Sequence, residues 1–219
     1  MTRRGRYYGR FSKIERKDFV STDPTKSLER GVRILKQAGV PFALIGRLAV
    51  WYYVPPEAQQ LTKGADFAVP HGYLEAVAAV ARESHYKVRT LTIGGCGVSA
   101  PGIVIDFIDR HPDLDALFTD AVQAAARSRR LRFTVGRVSV PVVPLPYLVV
   151  MKLVTHEAKD ERDAQELLRL LPARDYDKVR KMVRQYLGYG SVMYLDSLAR
   201  SIGHPGPGMK RRYLQAPHN

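Results

Sequence analysis

Hydrophobic positions along the chain switch between helical and strand spacing. Leu28, Val32 and Leu35 recur three and four residues apart, which predicts an amphipathic helix. Asp23-Pro24 opens it as a cap followed by a first-turn proline, and Gly39 can end it. Residues 42–45 are a short apolar run, read as a buried strand. Gly46 then starts a short helix through Leu48, Val50 and Trp51, and Pro55-Pro56 forces a turn. The pattern goes on to predict a strand at 65–69, an alanine-rich helix at 71–84, an imperfectly alternating strand at 87–93 and a glycine loop at 94–97. A strongly apolar strand follows at 103–108, then a helix at 114–126 and a hairpin of 130–135 and 137–143 about Gly136. Past Pro144 only helices are predicted, at 147–156, 161–171, 176–187 and 192–202. Residues 204–219 read as an extended tail. No internal repeat is visible.

The elements add up to an α+β fold, a mixed β-sheet flanked by helices and followed by a C-terminal helical region. Four segments are expected: a basic arm at 1–20, an α/β core at 21–145, a helical region at 146–203 and a basic tail at 204–219. Composition agrees with a folded chain. With 219 residues, 45% hydrophobic and 26% charged, the protein can bury a real core. The longest apolar run, 140–151, is too short to span a bilayer and is cut by Pro141, Pro144 and Pro146. Collagen, coiled coil, membrane protein and disordered chain are thereby excluded. A single cysteine rules out an intrachain disulfide. With no apolar leader after the N-terminal arginines, the expected setting is reducing and cytoplasmic.

Charge changes the picture more. The net charge is +14, and it concentrates at the ends. Residues 1–20 hold seven basic and two acidic side chains, Arg3, Arg4, Arg6 and Arg10 among the basic ones. Residues 174–219 hold nine against three, including Lys210, Arg211 and Arg212. Tyrosines lie among them: Tyr7, Tyr8, Tyr186, Tyr189, Tyr194 and Tyr213. Arginine neutralises phosphate and tyrosine stacks on unpaired bases, so the ends suit RNA, tRNA-like molecules included, or an acidic protein partner. A solubilising surface is the plainer alternative.

Chemistry is expected at strand ends in the core. In Ala43-Leu44-Ile45-Gly46-Arg47, a strand ends in glycine and opens a helix, an arrangement whose backbone N–H groups favour a phosphate. In Leu61-Thr62-Lys63-Gly64-Ala65-Asp66 a strand carries one carboxylate, and in Ile103-Val104-Ile105-Asp106-Phe107-Ile108 an apolar strand carries another. Carboxylates on neighbouring strands can cage divalent ions that activate an attacking oxygen and stabilise departing pyrophosphate.

These three segments resemble the nucleotidyltransferase superfamily, most of all the minimal bacterial group that includes abortive-infection toxin nucleotidyltransferases. The likeness covers residues 30–172. The family pattern is a Gly-Gly or Gly-Ser turn, an Arg-x-Thr-x-Asp-x-Asp strand, a lone Asp in an apolar strand, a Lys on a later helix, and then an Arg/Lys-Asp pair. Here Met151-Lys152-Leu153 and Arg162-Asp163 look like the last two parts. The resemblance implies an NTP substrate and Mg²⁺ or Mn²⁺, with Asp66 and Asp106 as catalytic metal ligands. It also implies that Gly46, Arg47, Thr62, Lys63 and Lys152 lie near the nucleotide. Three positions depart from the pattern. Arg47 replaces the second glycine, Gln60 the arginine, and Gly64 the first carboxylate of the pair. Two of three expected ligands remain, which suits one metal better than two and weakens the field on the transition state.

Each candidate has a plainer reading. Arg47 contacts a phosphate, fills the space of a triphosphate, or points into water. Lys152 either snorkels from an apolar helix or sits by the phosphates. Lys63 reads more simply as a solvated loop residue, Asp109 as lying past the strand end, and Cys96 as inert. The cluster Arg127, Arg129, Arg130 and Arg132 contacts a phosphate backbone or, more simply, is a solvated turn. His71, His85, His111 and His156 lack metal-ligand spacing. Three functions follow: metal-assisted transfer of a nucleotide to RNA or protein, an inactive RNA-binding relative, or a partner-binding member of a toxin–antitoxin pair.

Overall fold

In the computed structural model, residues 24–204 are described. The basic side chains at Arg3, Arg4, Arg6, Arg10, Lys210, Arg211 and Arg212 lie outside that range, as does the Asp23 cap. The elements are α1 (Pro24–Gln37), β1 (Ala43–Ile45), α2 (Gly46–Tyr53), β2 (Ala65–Ala68), α3 (Leu74–Glu83), β3 (Lys87–Thr90), β4 (Gly95–Ala100) and β5 (Ile103–Ile108). They continue with α4 (Asp115–Arg127), β6 (Arg132–Val135), β7 (Val138–Pro141), α5 (Leu145–Lys152), α6 (Ala158–Leu170), α7 (Ala173–Leu187) and α8 (Tyr189–Ser201).

Five strands form one mixed sheet in the order β1-β2-β5-β4-β3, and β6 and β7 form a separate hairpin. β2 and β5 run parallel, the other pairs antiparallel. Side chains alternate across each strand, and this decides which face does what. Phe67 and Phe107 are fully buried and stack with ring centroids 5.7 Å apart. A Cβ on Gly31 of α1 would lie 2.3 Å from the Phe67 ring, so the glycine lets α1 settle closely on this face. Burying each phenyl ring contributes roughly 1.5–3 kcal/mol. Asp66 and Asp106 are one residue out of phase with these rings and face the other way, toward α2, α5 and α6.

The loop predicted at 94–97 holds only at Gly94, which lies in a turn; Gly95 to Gly97 open an interior strand. Leu91 and Gly94 close a turn, and β4 then pairs with β3 on one side and β5 on the other. The glycines there answer close approach inside the sheet. Gly95 has φ +136, and a Cβ on it would lie 2.2 Å from the Phe107 carbonyl oxygen. The strand before this turn stops at Thr90 rather than Ile93. The helix expected over 147–156 is α5, which ends at Lys152. The hairpin about Gly136 (φ +56) forms as expected. Among the described residues no helix is long and apolar enough to cross a membrane.

Candidate functional site

A cleft of about 540 Å³ opens on the carboxylate face of the sheet. It is lined by Gly46, Arg47, Thr62, Lys63, Asp66, Asp106 and Lys152, the core residues marked out by the sequence. They come from the β1–α2 turn, the loop before β2, the middle of β2 and β5, and the end of α5.

Asp66 and Asp106 are direct register partners on adjacent parallel strands. Burial and the neighbouring Asp106 charge push the Asp66 carboxyl up to about 6. Burial also raises Asp106, and Arg89 offsets part of that rise. Oδ1 of Asp106 is buried and accepts no hydrogen bond among the described residues. Two adjacent carboxylates with an unsatisfied oxygen fit a hard divalent cation. They supply only part of a coordination sphere, since no group of three or more His, Cys, Asp or Glu among the described residues could hold a metal. Water and nucleotide phosphates would have to supply the rest.

Gly46 makes the turn possible. Its φ is +63, and a Cβ on it would lie 1.9 Å from Oδ2 of Asp66. Gly97, the β4 partner of Asp106, likewise leaves room, because a Cβ there would lie 3.0 Å from Oδ1. Gly64 has its own constraint and is not a blank awaiting a carboxylate: a Cβ on it would lie 2.3 Å from the Val104 carbonyl oxygen.

The cationic wall is tied down from within. Lys152 Nζ lies 2.6 Å from Asp160 and 2.8 Å from Asp163, buried rather than snorkelling. Thr155 donates to the other oxygen of Asp160 at 2.5 Å. Arg47 Nε lies 3.4 Å from Asp163, and its Nη1 donates to the Leu61 carbonyl at 3.0 Å. Asp163 therefore bridges Arg47 and Lys152. The Thr62 hydroxyl donates to the Gly64 carbonyl at 3.3 Å.

The sequence reading missed Asp160, Arg110 and Lys159, which also line the cleft. One signal was present: Asp160 and Asp163 are three residues apart, hence on one helix face, shortly after a lone lysine in an apolar helix. Arg110 carried no signal: it lies just past β5, at a positive φ of 55.

The weaker candidates lie elsewhere. Asp109 is buried and accepts from His71 Nδ1 and the His111 backbone N–H, each at 3.2 Å. The His71 and His111 rings stack at 3.6 Å. Cys96 is buried among apolar side chains, which pushes its thiol up to about 11, in keeping with an inert role.

No family model matches the chain, and no curated protein matches it in sequence. Solved structures do match in fold. The solution structure of the antibiotic-resistance factor ANT(2'')-Ia superposes with TM-score 0.50 at 10% identity, covering 83% of this chain and 97% of that one. Its crystal structure in complex with adenylyl-2''-tobramycin gives TM-score 0.50 at 10% identity, covering 74% and 97%. A nucleotidyltransferase-like protein from Paracoccidioides brasiliensis is more distant, with TM-score 0.44 at 14% identity over 82% and 94%.

Proposed function

We propose that this chain, which carries the nucleotidyltransferase fold, binds a nucleoside triphosphate in the cleft and transfers its nucleotidyl group to a hydroxyl of RNA or protein. The observation that carries the reading is the pairing of Asp66 with Asp106 on one face of the cleft, with Oδ1 of Asp106 left unsatisfied. In the reaction the acceptor oxygen bonds the α-phosphorus as its bond to the β-phosphate oxygen breaks. Pyrophosphate leaves, and the hydroxyl proton goes to water. Asp66 and Asp106 would hold Mg²⁺ or Mn²⁺, which supplies positive charge for the phosphates when bound. The N-terminal turn of α2 from Gly46 onward presents backbone N–H groups to the polyphosphate, and Lys63 and Lys152 border its path. With Gly64 in place of a third carboxylate, a single cation and slow turnover are expected.

The test is transfer of label from α-labelled NTPs to cellular RNA and protein in Mg²⁺ or Mn²⁺. Wild type should incorporate label, and Asp66→Ala and Asp106→Ala should each lose roughly 10²–10³-fold. Incorporation unchanged in both variants would overturn the reading.

A second reading is favoured by Arg47 and Lys152, whose charges Asp160 and Asp163 already neutralise. On it the fold is kept for binding alone, to RNA or to an acidic partner such as the other member of a toxin–antitoxin pair. Along α7, Arg174, Lys178, Lys181 and Arg184 are exposed at helical spacing, and they add to the basic termini. RNA binding that weakens steeply with salt and ignores Asp106→Ala would support this reading.

A further inference from the structure

One transverse row crosses the sheet. Ile45 pairs with Asp66, Asp66 with Asp106, Asp106 with Gly97, and Gly97 with Arg89. Directly paired residues on neighbouring strands project from the same face. Arg89, on edge strand β3, therefore projects on the carboxylate face, separated from Asp106 by a position without a side chain. Its Nη2 lies 3.5 Å from Oδ1 of Asp106. A Cβ on Gly97 would lie 2.8 Å from Arg89 Nε and 3.0 Å from that same Oδ1. The guanidinium thus lies across the glycine to reach the oxygen that accepts no hydrogen bond.

We propose that Arg89 is a built-in counter-ion for Asp106 that a hard divalent cation must displace, so that it sets the metal affinity of the carboxylate pair. The inference rests on the reading of Asp66 and Asp106 as the cation-holding pair. A guanidinium and a divalent ion repel each other, so holding both against one carboxylate oxygen costs affinity. The contact is loose enough to break. Arg89 is 64% exposed on a flexible stem, and its approach to Oδ1 is not a directed hydrogen bond. An edge-strand arginine serving only solubility would not call for a bare glycine between itself and a carboxylate.

The experiment is Mn²⁺ binding to the full chain without nucleotide, followed by the electron-spin resonance signal of free Mn²⁺. Arg89→Ala should bind Mn²⁺ about 3- to 10-fold more tightly than wild type, as expected for removing one screened charge near the ion. Arg89→Lys keeps the charge and should stay near wild type, and Asp106→Asn should lose most binding with or without Arg89→Ala. If Asp106→Asn weakens binding while Arg89→Ala leaves it unchanged or weaker, the counter-ion role is overturned and the cation site stands. If Asp106→Asn changes nothing, or neither wild type nor Arg89→Ala binds, the cation site falls and the counter-ion role with it.

Discussion

Gly64 sits against the backbone of β5 so closely that a Cβ on it would lie 2.3 Å from the carbonyl oxygen of Val104. The position the family pattern gives to a first carboxylate is therefore closed by main chain, which cannot swing aside as a side chain can. Gly64→Asp should cost about 1–3 kcal/mol of stability and bring no gain in Mn²⁺ affinity. Urea unfolding and a Mn²⁺ titration check the two halves. A stable variant with tighter Mn²⁺ binding would mean that the strand can move to accept the side chain.

Asp163 holds two cations at once, Lys152 at 2.8 Å and Arg47 at 3.4 Å. Removing it leaves Arg47 without its carboxylate and Lys152 with Asp160 alone. Asp163→Ala should cost about 3 kcal/mol, because a buried charge loses its partner. The freed cations should also bind inorganic triphosphate more tightly. Urea unfolding and calorimetric titration read these effects, and unchanged stability would show that the network carries little of the fold.

The Asp66 carboxyl is pushed up to about 6 from 3.8. The folded state therefore holds this proton more firmly than the unfolded chain does. The contribution to stability is greatest below pH 4 and falls as pH rises through 6. Asp66→Asn removes that dependence. Its melting temperature should exceed that of wild type at pH 7, by an amount equivalent to roughly 1–3 kcal/mol, and match it near pH 4. A difference that does not vary with pH would refute the burial account of this side chain.

Gly46 combines φ +63 with a place where a Cβ would lie 1.9 Å from Oδ2 of Asp66. Gly46→Ala strains the backbone and pushes Asp66 from its place. A loss of about 1–3 kcal/mol is expected, together with weaker Mn²⁺ binding than wild type. Chemical denaturation and the Mn²⁺ titration test this jointly. Intact metal affinity would show that the carboxylate pair tolerates a shift of the turn.

Local pattern was enough for most of the fold. Among the described residues, periodicity placed α1 to α8, and the apolar runs located β1, β2 and β5. It failed where one residue type serves two purposes. The glycines at 94–97 read as a loop because glycine usually marks one, yet in β4 Gly95 and Gly97 make room for the Phe107 backbone, the Asp106 carboxylate and the Arg89 side chain. Lys152 had two local readings, and neither included the partners it has, since Asp160 and Asp163 lie on the next helix.

The sequence by itself determined the strand–turn–helix around Gly46 and the two apolar strands with one carboxylate each. Those features follow from side-chain period and from glycine's freedom at positive φ, both properties of a few consecutive residues. Tertiary structure alone decided that Asp66 stands opposite Asp106, that Gly97 opens a lane from Arg89, and that Val104 closes the space beside Gly64. A strand's alternation sets which residues share a face. It cannot set the register between strands about 40 positions apart, because slipping by two residues preserves the pattern while moving every partner.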